Sequence, residues 1–340
     1  MANAMISYIS YIGKMAWPQK MAFLYPYPEV FPWWKVTGAC LILAVISFMA
    51  IKNRKNHPYI LVGWLWYIGT LVPVIGLIQV GLQPMADRYM YTPMVGLLII
   101  ISWGVIEIIQ NWKVISRILV PSVMVIISLL TIVSWEQIAY WDNTIKMLEH
   151  TVQVTKNNFT AHHILGANLS LQGKSQDAIK NYLEAVQINP KYHDSYFNLG
   201  NEYTKLKEID QAIYYYLKAA ELEPSYAQTY CNLGGAFFQK KNYEKATENY
   251  LIAIKLAPDR VDTHFNLGVI YYTMNRINEA IRHYIQAIKI QPNFANAYFY
   301  LGCAFYKKGN IDGAISSFQI ALQIKPDYVD AREFLKKLDR

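Results

Sequence analysis

The residues best suited to chemistry are three amides in step. Asn198, Asn232 and Asn266 recur 34 residues apart. A carboxamide carries a donor and an acceptor together, so a line of them can bond the backbone of an extended peptide whatever its sequence. The competing reading is that each amide satisfies neighbouring backbone or water. Ile164 and Tyr300 interrupt the line at its two ends, and Phe197, Phe265 and Phe299 stand beside it as candidate apolar contacts. The second candidate is the adjacent pair Asp87-Arg88 in the stretch Gln83 to Pro93, between two apolar segments. Charges so placed are costly unless paired or wet and often mark function, although a polar turn anchored by Tyr89 and Tyr91 would look the same. Walker, Gly-x-Gly-x-x-Gly, Gly-x-Ser-x-Gly and His-Glu-x-x-His patterns are absent, so no catalytic set is visible. His162 and His163 are neighbours that point different ways on a helix and do not make a ligand pair. No cofactor or metal is expected.

The amides are set by a repeat. Leu-Gly pairs recur at Leu165-Gly166, Leu199-Gly200, Leu233-Gly234, Leu267-Gly268 and Leu301-Gly302. Alanines at 178, 212, 246, 280 and 314, rings at Tyr182, Tyr216, Tyr250, Tyr284 and Phe318, and prolines at 190, 224, 258, 292 and 326 keep the same step. This is the signature of tetratricopeptide (TPR) repeats, two antiparallel helices each. The small residues mark where the two helices cross closely, the rings fill space between repeats, and each proline follows a helix end. Residues 159–326 are read as five repeats. Residues 136–158 form a preceding amphipathic half-repeat and 327–340 a polar capping helix, because a stack must close its ends.

The chain splits by composition. Residues 36–135 contain four apolar segments, roughly 36–51, 59–81, 91–110 and 117–135, each able to cross hydrocarbon, some with tilt. Residues 1–35 read as an interfacial segment with a helix from about Ile6 to Trp17, since no basic cluster or cleavage site makes them a signal peptide. The expected fold is therefore all-α: about four membrane spans, then a solenoid. Lys52, Arg54 and Lys55, and then Lys113 and Arg117, occupy short loops that stay cytoplasmic, which places Leu82–Met90 and the repeats outside. The formal charge of +8 is dispersed, with no basic stripe for nucleic acid. Cys40, Cys231 and Cys303 form no disulfide or metal spacing.

The run Tyr59 to Gly81 followed by Ala86-Asp87-Arg88-Tyr89-Met90-Tyr91-Thr92-Pro93, with Tyr25-Pro-Tyr-Pro before it, resembles bacterial membrane proteins related to the transmembrane-and-TPR O-mannosyltransferases. These are many-spanning glycosyltransferases that use lipid-phosphate sugars. The resemblance implies an integral protein, of the bacterial inner membrane, with extracytoplasmic repeats, and Asp87 and Arg88 near a lipid phosphate. Such enzymes keep their catalytic acid in an N-terminal membrane half that this chain lacks, so the expected partners are an extended polypeptide, membrane lipid and a lipid-linked sugar. The asparagine line is similar to that of the nucleocytoplasmic O-GlcNAc transferase, which implies peptide binding. Two readings follow: a membrane-anchored peptide-binding module, or part of a glycosyltransferase whose catalytic half is missing or encoded separately.

Overall fold

The computed structural model describes residues 2–18, 21–26, 32–72, 91–111 and 113–338. Asp87 and Arg88 lie outside them, as does the chain from 73 to 90. The described residues are helical and contain no strand. They divide into two compact units, Met1–Ile188 and Asn189–Arg340.

The first unit begins with α1 (Ala2–Ala16), α2 (Trp33–Lys52), α3 (Pro58–Leu71), α4 (Tyr91–Asn111) and α5 (Lys113–Ile138). Trp33–Lys52, Tyr91–Gln110 and Pro121–Trp141 are long and apolar enough to cross a membrane, and Pro58–Leu71 is a shorter apolar helix. Their outward side chains, Leu41, Phe48, Leu98, Ile101, Met124 and Ile132 among them, stay exposed, which suits helices with lipid for solvent. The α3–α4 crossing depends on two glycines. A Cβ on Gly63 would lie 2.3 Å from the Gly96 carbonyl oxygen, and one on Gly96 would lie 2.3 Å from that of Gly63. Small residues let membrane helices approach this closely. At one end of the pair Glu107 accepts a hydrogen bond from the Tyr59 hydroxyl at 2.7 Å and lies 2.8 Å from His57 Nδ1.

Beyond α5 the half-repeat expected as one connecting helix over 136–158 is divided. A 3-10 turn at Ala139–Trp141 precedes α6 (Thr144–Val154). The Asn143 side chain accepts from the Ile145 amide, and this cap starts a new helix. The unit ends with α7 (Phe159–Leu171) and α8 (Ser175–Ile188), the first full repeat.

The second unit holds four more helix pairs. They are α9 (His193–Lys205) with α10 (Ile209–Leu222), α11 (Ala227–Gln239) with α12 (Tyr243–Leu256), α13 (Val261–Thr273) with α14 (Ile277–Ile290), and α15 (Ala295–Lys307) with α16 (Ile311–Ile324). α17 (Val329–Leu338) closes the end by stacking Phe334 on Phe318, centroids 5.3 Å apart. Gly173, Lys207, Lys241, Asn275 and Gly309, one per repeat, all have positive φ in the turn after the first helix. A single core runs from Ala212 to Ala304.

The rings do more than fill space between repeats. Tyr216, Tyr250, Tyr284 and Phe318 each lie over the glycine of their own repeat, where a Cβ would come within 2.5–2.7 Å of ring carbons. The glycine is small because the ring occupies its Cβ position.

Candidate functional site

The first helices α9, α11, α13 and α15 approach one another in succession and form the inner face of the second unit. Asn198, Asn232 and Asn266 stand on them half-buried, with Tyr300 at the same register on α15. The amides are partly committed to the protein. Asn232 Nδ2 donates to Asn201 Oδ1 at 2.8 Å and to the Tyr216 hydroxyl at 3.4 Å, while its Oδ1 accepts from Gln228 Nε2 at 2.8 Å. Asn266 is hydrogen-bonded to the Tyr250 hydroxyl. Asn198 is the freest, because its Oδ1 accepts only a long 3.3 Å contact from Asn201.

Two of the amides follow a rule: Asn232 and Asn266 each meet the buried tyrosine hydroxyl of the repeat before, Tyr216 and Tyr250. Where Tyr300 replaces the amide the rule fails, and among the described residues the Tyr284 hydroxyl has no hydrogen-bond partner. A buried hydroxyl without a partner costs about 1–3 kcal/mol. Tyr284→Phe should therefore leave the melting temperature unchanged or raise it, whereas Tyr216→Phe, which removes the hydroxyl that donates to Asn201 Oδ1 at 2.8 Å and accepts from Asn232 Nδ2 at 3.4 Å, should destabilise by about 1–2 kcal/mol. Thermal unfolding of the two variants side by side checks this, and equal effects would refute the pairing rule.

The three phenylalanines are joint residues. Phe197 packs on Tyr226 (centroids 5.4 Å), Phe265 on Phe294 (5.0 Å) and Phe299 on Tyr328 (4.9 Å), each a ring on the first helix of one repeat against the residue that opens the next. Phe299 is buried, while Phe197 and Phe265 remain half-buried. One joint breaks the series. Cys231 and Arg260 take the two ring positions between α11 and α13, and Arg260 Nη2 donates to Gln228 Oε1 at 2.6 Å and Asp262 Oδ2 at 2.7 Å. Cys231 Sγ lies 2.7 Å from Thr263 Oγ1, and burial pushes its thiol pKa up. Asn201, Gln228, Arg260 and Asp262 thus belong to the face. The sequence reading passed over them, although counting 34 residues from Phe197 and Tyr226 arrives at Cys231 and Arg260.

Across the α13–α14 hairpin His264 Nδ1 lies 3.2 Å from His283 Nδ1, with His264 Nε2 3.0 Å from the Pro258 carbonyl. The carbonyl can only accept, so His264 carries its proton on Nε2 and His283 donates from Nδ1. Burial, then the neighbouring His264 and Arg282, push His283 down to about 4, with Glu279 opposing. Its ordinary value is near 6.5, so as pH falls from 6.5 toward 4 the unfolded chain takes up a proton that the folded chain refuses. Stability is full above that window and declines through it, by about 1–2 kcal/mol after discounting for partial exposure. His283→Gln should flatten the fall in melting temperature between pH 6.5 and 5; an unchanged slope would remove His283 as its source. Among the described residues no group of three or more His, Cys, Asp or Glu could hold a metal ion.

This geometry defines a class: the C-terminal half is an array of tetratricopeptide repeats. A TPR-repeat family model matches residues 169–201, 200–241, 234–275 and 270–309, and a second tetratricopeptide-repeat model matches 295–328. Among curated proteins the chain is similar to human Protein O-mannosyl-transferase TMTC1, 26% identical over 168 residues, covering 47% of this chain and 18% of that protein. It is also similar to Drosophila melanogaster Protein O-mannosyl-transferase Tmtc2, 22% identical over 160 residues, 47% of this chain and 15% of that one. The chain therefore matches less than a fifth of the length of these relatives. Among solved structures, YrrB, described as a TPR protein with an unusual peptide-binding site, aligns with a TM-score of 0.51 at 18% identity, covering 57% of this chain and all of that one. That likeness concerns the fold.

Proposed function

We propose that this protein is a membrane-anchored TPR module that binds an extended polypeptide outside the cytoplasm, in the inner membrane of a bacterium. The observation that carries the reading is the row of inner-face amides, backed by half-buried rings and continued by Asn201 and Gln228. It supplies donors and acceptors along one line, which suits a ligand recognised by its backbone. The side of the membrane rests on the basic loops, Lys52 to Lys55 between α2 and α3 and Lys113 with Arg117 at the start of α5. Alkaline phosphatase fused after Arg340 is expected to be active, and fused after Lys55 inactive; the reverse pattern would overturn the topology. Binding is tested with the full chain in lipid nanodiscs and unstructured Ser/Thr-rich peptides, and no measurable binding by the parent would remove the reading for these ligands.

The similarity to TMTC1 favours a second reading, in which the protein presents acceptor polypeptide within a membrane glycosyltransferase and Asp87 and Arg88 contact the phosphate of a lipid-linked sugar. Deleting the gene separates the two. Loss of O-linked hexose from envelope proteins supports the second reading, and intact glycosylation with loss of a co-purifying polypeptide supports the first.

A further inference from the structure

α6 behaves as the second helix of a repeat that lacks its first. Counting back 34 residues from Tyr182 and Ala185, both buried in the first full repeat, gives Leu148 and Thr151, and both of these are fully buried as well. In a complete repeat those positions are covered by the repeat's own first helix. Here Met21–Pro26 does the covering. Phe23 donates its amide to Thr151 Oγ1 at 3.2 Å, and the Leu24 carbonyl accepts from Asn158 Nδ2 at 3.0 Å. The Met21 backbone is hydrogen-bonded to His150, and Ala22 and Leu24 are buried.

Two of the side chains that hold this segment, Thr151 and Asn158, depart from the repeat pattern. At the register of Thr151 the full repeats carry Ala185, Ala219, Ala253, Ala287 and Ala321. At the register of Asn158 they carry Tyr192, Tyr226, Arg260, Phe294 and Tyr328. A helix satisfies its own backbone, whereas an extended strand in the same place needs a donor and an acceptor from outside. The hydroxyl at 151 supplies the acceptor and the amide at 158 the donor. Upstream, the Tyr8 hydroxyl donates to the Ile68 carbonyl at 3.0 Å and the Tyr67 hydroxyl to the Tyr8 carbonyl at 2.5 Å, so α1 is fastened to α3.

We infer that residues 21–26 are a strap that substitutes for the missing first helix of the half-repeat, closing the start of the array and fastening α6 and α7 to the membrane helices through α1. The strap makes the N-terminal segment part of the repeat fold, independently of any peptide bound farther along.

Hydrogen exchange of the full chain in nanodiscs tests this, in two variants. Asn158→Asp combined with Thr151→Val removes two of the three strap bonds, those to Phe23 and Leu24, and the carboxylate introduced at 158 still caps α7 by accepting from the Ala161 amide, as Asn158 does at 3.1 Å. The second variant deletes residues 2–26. In both, exchange of the α6 amides from Met147 to Val154 is expected to rise at least tenfold, while α11–α16 keep the parent's protection and certify the fold. Unchanged α6 protection in either variant would overturn the inference.

Discussion

Gly234→Leu is expected to lower the stability of the array by about 3 kcal/mol or more, the upper end of what overpacking costs. The reason is local. A Cβ at this position would lie 2.7 Å from two carbons of the Tyr250 ring, and the rest of a leucine would lie deeper in it. The ring has nowhere to retreat, because it is itself buried and its hydroxyl is hydrogen-bonded to Asn266 in the next repeat. Displacing it therefore damages two repeats at once. The neighbouring glycine supplies the control. A Cβ on Gly235 would meet only the Tyr250 hydroxyl, at 3.4 Å, an ordinary contact. Gly235→Ala should be neutral or stabilising by up to about 1 kcal/mol, the helix-propensity gain. Thermal unfolding of the two variants in detergent should move in opposite directions; a common shift would mean that the helix register is wrong.

Replacing Asn198, Asn232 and Asn266 together with alanine should weaken binding of an extended peptide by roughly one to three orders of magnitude. That follows from about 0.5–1.5 kcal/mol for each lost hydrogen bond, and every 1.4 kcal/mol is tenfold in affinity. Amides that only lined the inner face would make the triple change silent in stability. The structure alters that expectation, since Asn232 bonds Asn201, Tyr216 and Gln228, and Asn266 bonds Tyr250. A loss of about 1–3 kcal/mol in folding stability should therefore accompany the loss of affinity. Asn198→Ala separates the two effects, because Asn198 makes only the long contact to Asn201. It should cost about 2–10-fold in affinity with the melting temperature unchanged. A triple variant that melts earlier yet binds as the parent does would make the amides purely structural.

The repeat was legible because its requirements recur: a glycine under a ring and an alanine at a crossing, five times over, leave little freedom in register. The asparagines were legible as a row but not as partners of buried hydroxyls. Pairing Asn232 with Tyr216, or Asn266 with Tyr250, needs the side chains of two different repeats in one frame. Arg260 was passed over because it breaks the pattern that the eye follows. The strap lay furthest out of reach. Phe23 and Thr151 are 128 residues apart, and an extended hexapeptide has no periodicity to betray its partner. The division of 136–158 into two helices turned on one Asn143 cap inside an otherwise continuous amphipathic pattern.

A solenoid acts as a spring whose stiffness is set joint by joint, and the joint between α11 and α13 is made of a different material from its neighbours. Interlocked rings are indifferent to dissolved ions. Arg260 and Asp262, partly exposed, form an ion pair that a shortened Debye length weakens. That pair lies within one repeat and aims the guanidinium, whose 2.6 Å bond to Gln228 is what crosses the joint, so this coil of the spring is held by a directed polar contact where its neighbours are held by rings.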